Sequence, residues 1–228
     1  MPIPLHPPIP PASGKPLSGL SGDANTPALT AENTTGASGI AGSFTGSVTV
    51  SGSIDVKQNV SVSNDASVGG LIVSNDASVN GNLKVAKDIT LTGADCAEEF
   101  DLQGAGDVEP GTVMVLDEVG TLEPSRHVYD KKVAGVVSGA GEFRAGMILD
   151  RRDTSHKRAA LALVGKVFCK VDAQYAPVEV GDLLTTSPTP GHAMKATDPM
   201  RAFGAVIGKA LRPLKSGQGL VPILVALQ

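Results

Sequence analysis

Between residues 46 and 93 the apolar side chains come in pairs two positions apart. Val48/Val50, Ile54/Val56 and Val60/Val62 follow one another at a step of six residues, with Gly, Ser and Asn in the gaps. The heptapeptide Val-Ser-Asn-Asp-Ala-Ser-Val then occurs at 62–68 and again at 73–79, an offset of eleven, one short of two steps. Leu83/Val85 and Ile89/Leu91 continue the series. Apolar residues at i and i+2 are a strand signature, the Gly and Asn positions mark turns, and no 3.6-residue period is present. A strand this short cannot make a core alone and must stack on neighbours. Three copies wound around one axis satisfy that need, with the small aliphatics meeting at the centre. A self-polymerising single-chain β-helix is the rival arrangement. The segment is too short for many coils of its own, so a trimeric β-helix-like stalk is the expectation.

The flanking segments differ in kind. Residues 1–45 hold half of the chain's 16 prolines, followed by a Gly/Ser/Thr/Asn/Ala stretch. Pro7, Pro8, Pro10 and Pro11 favour polyproline II and forbid a helix, so an extended arm is expected, able to anchor the chain by ordering on a partner surface. Residues 94–228 read as a globular β domain. Their apolar runs are short and β-branched: Val113–Leu116, Val133–Val137, Leu161–Val164, Ala205–Ile207 and Val221–Val225. Turn signals separate them at Glu109-Pro110-Gly111, Glu142–Gly146, Val180-Gly181-Asp182 and Pro188–Gly191. This rhythm predicts a β-barrel or sandwich. The whole chain is therefore expected to be all-β.

Composition narrows the function. In 228 residues, 41% hydrophobic and 18% charged, the aliphatics are too many for a wholly disordered chain. A net charge of −4 gives no general attraction to nucleic acid or to acidic membranes. No apolar run approaches the roughly 20 residues of a membrane helix. Met1–Pro8 lacks a basic start and is broken by proline, so the expectation is synthesis in the cytoplasm without a signal peptide. Cys96 and Cys169 do not form a disulfide framework. His6, His127, His156 and His192 are scattered without metal-ligand spacing, so no metal and no cofactor is expected.

Other motifs carry little chemistry. Gly204-Ala-Val-Ile-Gly-Lys209 is one residue short of a phosphate loop and has Ala210 where Ser or Thr is needed, so it reads as a strand with a glycine bend and an exposed lysine. Ser138 reads as a turn serine after a strand. Arg151-Arg152 and Lys157-Arg158 read as the solvated tip of a hairpin. The run Gly93-Ala94-Asp95-Cys96-Ala97-Glu98-Glu99-Phe100 stands where the repeats stop. Crowded carboxylates raise one another's pKa, so Asp95 and Glu98 are the candidate acid–base pair, against a polar junction that caps the stalk with charge.

This junction resembles phage tail spikes, neck appendages and fibres in which a β-stalk precedes a C-terminal intramolecular chaperone domain. Many such domains open with a Ser-Asp-x-x-Glu motif and cleave themselves there after trimerisation. The matching run here is Ala94-Asp95-Cys96-Ala97-Glu98. Glu109–Val113, Val133–Ser138 and Val180–Ser187 resemble the same domains, and Ala31–Gly36 resembles repeats found in such fibres. The resemblance implies that Asp95 and Glu98 keep their places in the motif, while Ala94 stands at the serine's position and removes the hydroxyl nucleophile.

The expectation is a structural, non-enzymatic, homotrimeric fibre or spike of a phage tail or phage-derived particle. Residues 1–45 would attach to a baseplate or tail protein, 46–93 would form the shaft, and 94–228 would set trimer register and form the distal tip. Weak register in short repeats gives such a domain its purpose. The alternatives are an autoproteolytic chaperone cleaving near Ala94-Asp95, a receptor- or glycan-binding head, and a self-polymerising β-helical scaffold.

Overall fold

The computed structural model describes residues 48–104 and 106–225. The arm assigned to residues 1–45, with His6 and the Ala31–Gly36 run, lies outside them. Contacts divide the chain into two units, Met1–Ser78 and Val79–Gln228.

In the first unit, residues 48–78 form no helix or strand and bend at 51–52, 57–58, 63–64, 69 and 74–75. The bends follow the six-residue step of the sequence, and the one shorter interval falls at Gly69–Val73, where the repeat offset loses its residue. No ladder pairs these residues among those described, and Val48 through Val73 carry their apolar side chains exposed, Ile72 at 94%. The second unit begins in the same way. Residues 79–92 bend at 80–81 and 86–87 and expose Leu83, Val85, Ile89 and Leu91.

The rest of the second unit is a β structure, as its rhythm of short apolar runs predicts. Its strands are β1 (Asp95–Asp101), β2 (Val113–Leu116), β3 (Leu122–Pro124), β4 (Val133–Val137) and β5 (Ala145–Leu149). They continue with β6 (Arg158–Asp172), β7 (Leu183–Thr186), β8 (Ala193–Lys195), β9 (Val206–Ala210) and β10 (Gln218–Val225). One helical turn, α1 (Pro199–Ala202), is capped by Asp198, whose carboxylate accepts from the Met200 and Arg201 amides.

The organising element is β6, 15 residues long. Its C-terminal half pairs with β10, and the order β6–β10–β9–β7–β8 returns to β6 through the Val171–Ala193 pairing, closing a small barrel. Closure removes the edges that a sheet otherwise exposes. The barrel core is aliphatic: Val167, Val171, Leu184, Ile207, Val221 and Ile223 are all buried, with Cys169 among them. Burial pushes the Cys169 thiol up to about 12, so it stays protonated and inert. The N-terminal half of β6 pairs with β1 on one edge and with β4 on the other, and β2 and β3 follow β4. Val113, Val136 and Ala162 join the barrel core, whereas Met114, Val137 and Leu161 enter a second cluster with Leu102 and Leu122. The two clusters draw on alternate residues of the same strands, as a pleat with both faces covered requires.

Two sequence expectations are corrected here. The basic run 151–158 is not a hairpin tip, because β1 lies between β5 and β6, parallel to the first and antiparallel to the second. Within it Arg158 is not solvated: its side chain is 7% exposed and faces Glu99, Asp101 and Asp150. A charged strand inserted from earlier in the chain supplies two of the three carboxylates around the guanidinium, and Asp150 after β5 supplies the third. Gly204–Lys209 folds as read, with a left-handed turn at Gly204 and an exposed Lys209 on β9.

Candidate junction site

The site is the entry of the chain into the barrel domain. Gly93, Gly146 and Gly165 make that entry possible. A Cβ on Gly93 would stand 2.2 Å from the Gly146 Cα. Gly165 has φ +112, and a Cβ there would meet the Ala94 carbonyl oxygen at 2.5 Å. Gly165 is also flanked on both edges of β6, since Asp95 of β1 and Val225 of β10 both register with it. Three backbones thus approach more closely than side chains allow.

Ala94 is held on both sides. Its amide donates to Arg144 O at 2.8 Å, and its carbonyl accepts from the Lys166 amide at 3.0 Å. The peptide bond between Ala94 and Asp95 is therefore part of a sheet. The loop that receives it is pinned by Arg144, whose Nη1 donates to the carbonyls of Gly139, Gly141 and Phe143 at 2.7–2.8 Å.

Asp95 is 5% exposed. Its Oδ1 accepts a 3.0 Å hydrogen bond from Ser138 Oγ, and its Oδ2 is buried without a partner. Burial pushes the Asp95 carboxyl above the ordinary aspartate range, while the Ser138 hydroxyl pulls the other way. Ser138 is placed by its own amide, which donates to Ala160 O at 2.8 Å beside β6.

Glu98 does not join Asp95. On β1 the buried residues are Asp95 and Ala97, and Cys96 and Glu98 are half-exposed, so an odd spacing sends the two carboxylates to opposite faces. The cause of the raised Asp95 pKa is burial and not a crowd of carboxylates. The face that carries Glu98 is instead an apolar one. Cys96 registers with Met147 on β5 and with Val164 on β6, and Glu98 registers with Leu149. Met147, Leu149 and Val164 are 43%, 42% and 58% exposed.

Sequence reasoning missed Ser138 as the Asp95 partner, because 43 residues separate them. It also missed Arg158 and Asp172. Asp172 is fully buried and accepts from the Gln174 amide and side chain, Thr189 Oγ1 and Gln218 Nε2 at 2.8–3.0 Å. Burial raises its pKa, but these hydrogen bonds prevail and hold it below the ordinary range. Among the described residues no group of three His, Cys, Asp or Glu side chains is placed to hold a metal, and no helix is long and apolar enough to cross a membrane.

No protein-family model and no curated protein matches the chain. Three solved structures from bacteriophage phi29 show similarity. The pre-mature gene product 12 aligns at TM-score 0.49 and 16% identity, over 65% of this chain and 24% of its own length. The gene product 12 C-terminal fragment aligns at 0.39 and 15%, over 58% of this chain and 100% of its own. The head fiber gp8.5 N base aligns at 0.27 and 16%, over 58% and 90%. The chain thus spans about a quarter of the length of the first of these.

Proposed function

We propose that this chain is a structural fibre or spike component of a phage tail or phage-derived particle. It assembles as a homotrimer through residues 46–93, and residues 94–228 form the distal head that sets the register of the three shafts. The observation that carries the reading is the exposed apolar series from Val48 to Leu91, 43% to 94% exposed on segments that bend at six-residue steps but for one shorter interval. Each such side chain is worth about 1.5–3 kcal/mol when fully buried. So many of them are far more than isolated surface aliphatics and mark segments meant to be covered. Copies of the same chain, bent at the same steps, offer the matching rows.

The head suits a registering role. A slipped repeat presents nearly the same face as the correct one, so the shaft alone specifies register poorly. A closed barrel hydrogen-bonded to the chain directly after the last repeat removes that freedom. At the junction, Asp95 fastens the chain to the β4 turn, and Ala94 keeps the peptide bond within a ladder; neither Asp95 nor Glu98 is assigned a catalytic role. Residues 1–45 are proposed to attach the fibre to a baseplate or tail protein.

Native mass spectrometry of the full chain tests this reading. A mass three times that of the intact chain is expected. A monomer overturns the trimer, an open ladder of masses points to a polymerising scaffold, and fragments divided near Asp95 revive self-cleavage.

A further inference from the structure

We infer that the contact between copies does not end with the repeats but continues onto the head. It would run along the strip formed by Leu91, Met147, Leu149 and Val164, with Cys96 inside it and Glu98 at its rim; the occupant is a second copy of this chain. This rests on the trimeric reading above and adds the surface on the head.

Three observations meet there. Met147, Cys96 and Val164 stand side by side across β5, β1 and β6, and directly registered residues share a face. Leu91, the last apolar residue of the repeats, lines the same hollow of about 250 Å³ as Cys96, Met147 and Val164. Leu91, which ends the exposed series Leu83, Val85, Ile89 and Leu91, therefore lies beside the strip, in a hollow that Asp95 also lines. In addition, β5 pairs only with β1 among the described strands, so its far edge lies beside the exposed Met147 and Leu149. A free edge flanked by apolar side chains is a surface that soluble proteins cover. A further pair of exposed apolar residues, Met200 and Phe203 beside α1, lines no hollow shared with Leu91 and serves as a comparison.

The chain carries its own reporter. It has two cysteines, and Cys169 is buried with a thiol pKa of about 12, so alkylation reads Cys96 alone. In the assembled wild-type full chain, iodoacetamide is expected to label Cys96 at least ten-fold more slowly than after dilution to the dissociated state. The full-length double variant Met147→Asp/Val164→Asp is expected to dissociate at a concentration at least ten-fold higher than wild type, with Phe203→Asp unchanged. A trimeric wild type with equal Cys96 labelling in both states overturns the strip and leaves the shaft contact standing. The strip is overturned in the same way if the double variant and Phe203→Asp dissociate alike. A wild type that is monomeric at every concentration overturns the strip together with the trimeric reading.

Discussion

Ser138 Oγ donates a 3.0 Å hydrogen bond to Asp95 Oδ1, joining the turn after β4 to the first residue of β1. The bond fastens the incoming chain at the point where repeats give way to barrel. The same carboxylate leaves Oδ2 buried without a partner. A carboxylate half satisfied in this way stabilises one geometry at the cost of desolvation.

Asp95→Asn is expected to raise the thermal midpoint at neutral pH, because the amide keeps an acceptor for Ser138 and removes the buried charge. The folded pKa of Asp95 lies above its unfolded value, so the ionised group destabilises the fold at neutral pH. Its penalty fades as pH falls through the folded pKa. The advantage of the variant should therefore shrink on acidification, as thermal melts from pH 7 to pH 4 would reveal. An advantage that grows on acidification would contradict the assignment.

Asp172 should show the opposite sign. Its folded pKa lies below the unfolded one, so its contribution is present above about pH 3.9 and is lost as pH falls through the folded value. Asp172→Ala strands the donors of Gln174, Thr189 and Gln218 and is expected to cost about 2–4 kcal/mol at pH 7. Urea unfolding at pH 7 and at pH 3 measures both, and the difference between wild type and variant should be smaller at pH 3.

Gly165→Ala combines a φ of +112 with a Cβ placed 2.5 Å from the Ala94 carbonyl oxygen, and is expected to cost about 2–5 kcal/mol. Gly181→Ala isolates the backbone part, since Gly181 has φ +91 and nothing within 4 Å of its Cβ position. It should cost only about 1–2 kcal/mol. Equal losses in calorimetry would show that crowding at the junction contributes nothing.

Arg158→Met leaves Glu99, Asp101 and Asp150 facing one another without their shared cation. A loss of stability is expected at pH 7, reduced by solvent screening because Asp101 and Asp150 are more than a third exposed and Asp150 keeps Arg152. Asp150 is held below the usual carboxylate range by its hydrogen bonds from Arg152 and Arg158, so the stabilising interaction is present above its unfolded pKa and disappears as pH falls through the folded one. The loss should accordingly narrow near pH 3. A loss independent of pH would mean that packing of the side chain, not its charge, accounts for the effect.

Much of this protein could be read from residue order alone. The i, i+2 apolar pairs and their six-residue step are local, so the bends and even the one-residue slip at Gly69–Val73 follow from them, whereas the strands those pairs signal are not formed among the described residues 48–94. The β-branched runs at 113–116 and 133–137 coincide with β2 and β4 for the same reason. What sequence could not reveal depends on partners distant in the chain. Asp95–Asp101 reads as a polar junction because its charges dominate, yet it becomes β1 once β5 and β6 flank it. Arg158 reads as solvated until that inserted strand brings Glu99 and Asp101 to it. Ser138 reads as an ordinary turn residue until β6, with β1 on one edge and β4 on the other, brings it to Asp95. Asp95 and Glu98 look like a pair in one dimension and are separated by the pleat in three. Periodicity encodes which way each side chain points along its own strand; only tertiary pairing decides what it meets there, and so its burial, its charge state and its role.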